Sequence, residues 1–246
     1  MLPTLWRAGG DFLYPPACPL CDVALERTGE QPEPNRFCRP CRAELQPDDA
    51  PTCLRCAAPA GPHLDTADGC HHCRDDNFKF ETVIRLGVYE NLLQTVCRRM
   101  KQRYATALAA ACADLLCESA ADQFASVAPA AVVPVPRHWL ERFRGQHSAA
   151  MLAKRVSRRL NVPCYPEIVW KTRRTPRQST LNPTKRRANL RKAFAVELPR
   201  ELAGQTVLLV DDVLTTGTTA NEVAKALRKA GAGTVVAGVV ARGIGR

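Results

Sequence analysis

With 246 residues, 46% of them hydrophobic and 24% charged, the chain is large enough for one sizeable domain or two small ones and too apolar to be disordered. Its net charge of +11 is divided unevenly: residues 1–80 carry 8 Lys/Arg against 12 Asp/Glu, and residues 81–246 carry 27 against 12, so the second part is suited to an anionic partner, a polyphosphate or a nucleic acid. No apolar run approaches the ~18 residues of a membrane span, and the start, MLPTLWRAGGDFLYPPAC, is interrupted by Arg7 and Asp11 and does not read as a signal peptide; the expectation is a cytoplasmic protein without membrane insertion.

The first eighty residues are organised by cysteine. Of 12 cysteines, eight form four Cys-x-x-Cys knuckles, Cys18/Cys21, Cys38/Cys41, Cys53/Cys56 and Cys70/Cys73, with 16 residues between the first two and 13 between the last two. Two thiolates in one tight turn bind a metal from the same side, and two such turns complete a tetrahedron of sulfur, which suits Zn²⁺. A single knuckle would fit a redox pair equally well, and a disulfide framework would fit a secreted chain. Four knuckles at ribbon spacing in a cytosolic chain point to two structural Zn²⁺ ions. Sequential pairing, which leaves each half complete, is favoured over a cross-braced arrangement. Few apolar residues lie between the knuckles, so metal binding must supply most of the folding free energy of this region. His71 and His72 sit inside the fourth knuckle as exposed neighbours. The remaining thiols, Cys97, Cys112, Cys117 and Cys164, lie among apolar residues and read as core.

Beyond residue 81 strands and helices alternate. TVIRLGVY (82–89) reads as a strand. Residues 91–101 form a helix with Leu92, Leu93, Val96, Cys97 and Met100 on one face, residues 104–124 an Ala-rich helix, and residues 131–135 a short apolar strand stopped by prolines. Residues 147–160 are helical, TVLLV (206–210) is a buried strand, 219–230 is a helix stopped by Gly231, and TVVAGVV (234–240) is a final strand. This order gives an α/β fold, a mostly parallel sheet with helices on both faces, preceded by a small Cys-rich double zinc ribbon. The expected division is 1–80 and 81–246.

The stretch VLLVDDVLTTGTT (207–219) carries the chemistry. The strand is expected to end at Val210, and the next helix to begin near Thr219, where Thr219-x-x-Glu222 has capping-box spacing. The small, hydroxyl-rich loop Thr215, Thr216, Gly217, Thr218, Thr219 then wraps a helix N-terminus, where free N–H groups and the helix dipole favour a phosphate. The Walker pattern is absent. Asp211 and Asp212 would repel a bare phosphate but would accept hydrogen bonds from the 2- and 3-hydroxyls of a ribose 5-phosphate. An acidic turn without function and a phosphoaspartate acceptor are the other readings of the same two acids. Residues 154–192 hold 13 basic residues and one acid, Glu167. A solvated basic face is the plain reading of that segment, and a polyanion site the functional one.

VLLVDDVLTTGTT resembles the phosphoribosyl pyrophosphate (PRPP) signature of type I phosphoribosyltransferases. VVPVPRHWLERFRGQHSAAMLA (132–153), TRRTPRQSTLNPTKRRANLRKAF (172–194), YENLLQTVCRRMKQR (89–103) and the four knuckles resemble, in order, segments of the ComF family, which includes the GntX type. Two segments depart from that pattern: RGQHS keeps only Arg144 and Gly145, and MKQRY keeps Lys101 approximately. The resemblance implies transfer of phosphoribose from PRPP to an acceptor with release of pyrophosphate, assisted by Mg²⁺. It implies a PRPP site made of Asp211, Asp212, Val213, Leu214, Thr215, Thr216, Gly217, Thr218 and Thr219, with Val135, Pro136 and Arg137 at the pyrophosphate and Lys101 nearby. Asp211, Asp212, Arg177 and Arg186 are the candidate catalytic residues, the two arginines on a basic cover loop 171–187 that also holds Gln178. The alternative function is single-stranded DNA handling in competence and DNA uptake, with a competence ATPase or helicase as partner. No aromatic residue lies between the basic residues of 171–192, so a stacking platform of the usual kind is not visible, and no general base stands out.

Overall fold

The computed structural model describes residues 16–25, 36–46, 50–136, 147–173, 190 and 192–244. The strands among them are β1 (Val83–Val88), β2 (Ala131–Pro134), β3 (Val169–Lys171), β4 (Phe194–Val196), β5 (Thr206–Leu214) and β6 (Thr234–Arg242). The helices are α1 (Arg39–Glu44), α2 (Asn91–Arg99), α3 (Thr106–Ser119), α4 (Ala121–Val127), α5 (Ser148–Leu160) and α6 (Thr218–Lys229).

Four strands form one all-parallel sheet in the order β1-β6-β5-β2. Its strands are apolar on both sides because both faces are covered. On one face Leu208, Val210 and Val236 pack with residues of α2 to α5, including Val96, Met100, Leu116, Phe124, Leu152 and Val156. On the other, Val207, Leu209 and Val235 pack with Val223, Ala224 and Leu227 of α6 and with Val169 and Phe194. Each face buries on the order of ten aliphatic side chains at roughly 1.5–3 kcal/mol apiece, which makes this sheet the frame on which everything else is hung.

Four expectations needed correction. β5 does not stop at Val210 but runs to Leu214, because its pairing with β6 continues as far as Leu214 opposite Arg242. The helix after it begins at Thr218, with Gly217 as N-cap and no side-chain cap. The expected capping box is not formed: Glu222 instead accepts the Lys192 N–H at 3.3 Å and pairs with Lys225. The Ala-rich stretch is two helices, since Tyr104 takes a left-handed φ of 65° before the first and Ala120 leaves helical geometry between them, at φ −114° and ψ 25°. The antiparallel pair β3–β4, absent from the sequence reading, packs against α6 and flanks the basic segment.

The two ribbons lean on the sheet domain. Cys18, Leu20, Phe37 and Leu45 belong to the larger apolar cluster, and Arg42 pairs with Glu118 of α3 at 2.9 Å. The apolar support that the knuckles lack locally therefore comes from the rest of the chain.

Candidate functional site

The eight knuckle cysteines gather into two sets, Cys18/Cys21/Cys38/Cys41 and Cys53/Cys56/Cys70/Cys73, each with its sulfurs within 4.8 Å of one another. Pairing is thus sequential. The Cys21–Cys38 sulfurs are 3.5 Å apart, and Cys53–Cys73 and Cys56–Cys70 are each 3.7 Å apart. A disulfide would bring them to about 2.0 Å, whereas the edge of a sulfur tetrahedron around zinc, with Zn–S of about 2.3 Å, is about 3.8 Å. Both sets fit one Zn²⁺ each. With four sulfurs per ion no position is left for substrate, so the metals are structural. The second set is wholly buried, while in the first Cys21 is exposed. Cys97, Cys112, Cys117 and Cys164 are not part of either set; the first three are buried, as expected for core thiols, whereas Cys164 is only partly buried at the edge of the larger cluster.

The second centre lies at the carboxyl end of β5. A concavity of about 50 Å³ is lined by Asp211, Val213 to Thr219 and Ala220. Gly217 has φ 70°, a left-handed conformation that glycine adopts without strain, and this turn swings the chain from strand to helix within three residues. Inside the loop the Thr216 and Thr218 hydroxyls meet at 2.8 Å. The first turn of α6 contains no acid and Thr218 to Ala220 line the concavity, which puts the positive end of the helix dipole beside it; the Thr218 N–H donates to the Thr216 hydroxyl at 3.4 Å. A Cβ at Gly217 would lie 3.0 Å from the Phe78 ring. Bulk at that position therefore strains the turn and displaces Phe78, beyond any effect on ligand approach.

The two acids are not equivalent. Asp211 lines the concavity, is partly buried, and accepts the N–H of Asp212 at 2.8 Å. Burial, reinforced by the neighbouring Asp212 charge, pushes its pKa up to about 8 against the smaller opposing pull of the Asp212 N–H, Lys101 and Lys171. Asp212 is 6% exposed. It accepts the Ser148 hydroxyl at 2.6 Å and lies 3.5 Å from the Lys101 ammonium. Burial alone would lower the Lys101 pKa, but Asp212 and Asp211 outweigh it and hold the lysine charged. One carboxylate is tied into the protein, and the other faces the space a ligand would enter.

Of the residues singled out from sequence, the structure brings together Asp211, Asp212, Val213, Leu214, the loop 215–219 and Lys101. Val135 joins them, its N–H bonded to the Val210 carbonyl at 2.8 Å, and Pro136 follows it. Arg137, Arg177 and Arg186, with Arg144, Gly145 and Gln178, lie outside the described residues. Four contributors escaped the sequence reading. Ser148 orients Asp212, Lys171 adds positive charge near Asp211, and Phe78 backs Gly217. The fourth, Arg242, is 3% exposed and donates to the carbonyls of Leu214 and Thr215 at the entry to the loop. All four are remote in sequence from the loop they serve, except that Arg242 ends the strand paired with β5; only a pairing register could have pointed to it.

Comparison with known proteins gives a double zinc ribbon domain over residues 10–75 and a phosphoribosyl transferase domain over residues 146–246. Competence protein F of Haemophilus influenzae is 30% identical over 202 residues, covering 80% of this chain and 86% of that protein. DNA utilization protein YhgH of Escherichia coli K12 is 30% identical over 195 residues, covering 76% of this chain and 82% of that one. A crystal structure of a hypothetical protein from Neisseria gonorrhoeae with bound ppGpp is similar over 59% of this chain and 66% of that chain, at 18% identity and a TM-score of 0.31. No helix among the described residues is long and apolar enough to cross a membrane.

Proposed function

The chain belongs to the ComF family of competence protein F and DNA utilization protein YhgH, and from this we propose that it binds PRPP at the end of β5 and transfers phosphoribose to an acceptor, releasing pyrophosphate, in the cytoplasm. The observation that carries the reading is the concavity of residues 211–220, with a helix N-terminus at one end and the Asp211 carboxylate at the other. The 5-phosphate takes the N–H and hydroxyl donors of Thr215 to Thr219. Asp211 takes a ribose hydroxyl. Asp212, fixed by Ser148 and Lys101, sets the position of the strand end and the local charge. The diphosphate lies toward Val135 and Pro136, beside β5, and the family resemblance adds Arg137, next in the chain. Arg177 and Arg186 would close over it and exclude water.

Transfer breaks the bond from C1 to the diphosphate oxygen and forms one from C1 to the acceptor nucleophile. Negative charge grows on the leaving group, so cationic groups aimed there lower the barrier. Mg²⁺ would supply further neutralisation of that charge. Asp211 suits a cationic ligand or a hydroxyl donor, since either favours the ionised carboxylate against the burial that raises its pKa.

The test is calorimetric titration with PRPP, with and without Mg²⁺, on the parent and on the Asp211→Ala/Asp212→Ala double variant, followed by a pyrophosphate-release screen over bases and nucleic acids. Each acceptor lost to a buried hydroxyl costs about 1–3 kcal/mol, so affinity should fall on the order of a hundredfold. Equal affinity in parent and double variant would overturn the assignment.

The names of the relatives, a competence protein and a DNA utilization protein, support a second reading: the PRPP fold is kept for handling single-stranded DNA alongside a competence ATPase or helicase. The 13 basic residues of 154–192 suit that role, and binding would weaken steeply with salt.

A further inference from the structure

The two zinc sites stand in different relations to the phosphate loop. The first docks against α2 and α3, through the Arg99 guanidinium donating to the Leu20 carbonyl and through Arg42 paired with Glu118. The second is joined to the loop itself along two routes. Along one, the buried Arg242 guanidinium donates to the carbonyl of the knuckle residue Cys56 at 2.8 Å, to that of Leu214 at 3.1 Å, and to those of Thr215 and Gly243. One rigid, always-charged fork thus holds a zinc knuckle and both residues at the entry to the loop. Along the other, Phe78 packs on the Cys53/Cys56/Cys70/Cys73 cluster, stacks on Phe80 with centroids 4.5 Å apart, and closes on Gly217. Next to it the Lys79 N–H donates to Asn221 Oδ1 of α6 at 2.7 Å. Arg55, inside the third knuckle, fixes this strap by donating to the Asp76 carbonyl at 2.8 Å.

We propose that the second zinc site braces the phosphate loop, with Arg242 and Phe78 as positioning residues, and that the first does not: the order of residues 214–220 depends on the knuckle formed by Cys53, Cys56, Cys70 and Cys73. The physical reason is geometric. The Leu214 and Thr215 carbonyls must point inward, toward Arg242, for the following N–H groups to point into the concavity. The guanidinium can hold them only while the Cys56 carbonyl holds it from the other side. An open second knuckle releases the Cys56 carbonyl and the seat of Phe78 together. Because coupling free energies are reciprocal, a ligand that orders the loop must also tighten zinc binding at the second site. That last consequence rests on the PRPP reading above; the bracing does not.

The experiment is hydrogen exchange on the full zinc-loaded chain, comparing the parent with Cys21→Ser, which opens the first site, and Cys70→Ser, which opens the second. Amide exchange across 214–220 should rise about tenfold, within the usual range of coupling between sites, in Cys70→Ser and stay at the parent level in Cys21→Ser. Should Cys70→Ser fail to fold, Arg242→Lys, which leaves all eight cysteines in place, gives the same comparison: faster exchange in 214–220 with two zinc ions retained. Unchanged exchange in that segment in Cys70→Ser or in Arg242→Lys, or an equal rise in Cys21→Ser, overturns the proposal. The ligand is then read separately, by adding PRPP with Mg²⁺ to the parent and measuring zinc retention at equilibrium against a competing chromogenic chelator. Tighter retention of one of the two ions supports the full coupling, and unchanged retention with PRPP bound overturns it. Faster exchange in Cys70→Ser with no PRPP binding by the parent upholds the brace and removes the PRPP assignment alone.

Discussion

Replacement of Asp211 by Asn isolates the energetic strain stored at the site. In the folded chain burial and the Asp212 charge push the Asp211 pKa up to about 8, while in the unfolded chain it returns to about 3.9. Between those values the folded state holds a proton that the unfolded state does not, so stability falls as pH rises, by about 1.4 kcal/mol per pH unit, and levels off above the folded value. Lys101 and Lys171, which pull the other way, are already included in that balance. From pH 6 to pH 8 the parent should lose about 2–3 kcal/mol at this residue. An Asn has the same shape and no charge to bury, and loses nothing. For a chain of this size the difference amounts to about 5–10 °C in Tm. Thermal unfolding of parent and Asp211→Asn, both zinc-loaded and scanned at pH 6, 7, 8 and 9, should show the variant gaining on the parent up to pH 8 and then running parallel to it. A gap that stays constant from pH 6 to pH 9 would refute the raised pKa, and with it the view of Asp211 as a carboxylate waiting for a hydroxyl or a cation.

Metal analysis of the purified chain should give about two zinc ions, unchanged when Cys97, Cys112, Cys117 and Cys164 are replaced by Ala; one ion, or iron, would contradict the two four-sulfur sites. Ser148→Ala leaves the buried Asp212 short of a donor and should cost about 1–3 kcal/mol in denaturant unfolding; a loss near zero would mean that Lys101 alone satisfies the carboxylate. Affinity for single-stranded DNA should drop steeply with salt and vanish when Arg173, Arg174, Arg186 and Arg187 are all reversed to Glu, as read by fluorescence anisotropy; retained binding would move the nucleic-acid surface to the ribbons.

Local pattern was enough for the zinc sites and for the position of the strand-to-helix loop 215–219. A Cys-x-x-Cys turn places two sulfurs on one ion whatever surrounds it, and an apolar strand followed by Thr-Thr-Gly-Thr-Thr has few ways to fold other than into a strand-to-helix turn with exposed N–H groups. Alternating strands and helices likewise imply a parallel sheet, because parallel strands need crossovers. What the linear pattern left open was every property set by partners far away in the chain. β5 gained four residues beyond Val210 because β6 was there to pair with them. Glu222 abandoned its capping role for Lys192 and Lys225. Asp211 and Asp212, chemically identical and adjacent, have different surroundings because Asp212 meets Ser148 and Lys101 and Asp211 meets a concavity. Arg242 reads in the sequence as one more positive charge near the end of an apolar strand. Only the docking of the second ribbon against the end of β5 surrounds it with carbonyls, since a hydrogen-bond network among residues 56, 214, 215 and 242 requires loop closures that no local spacing encodes.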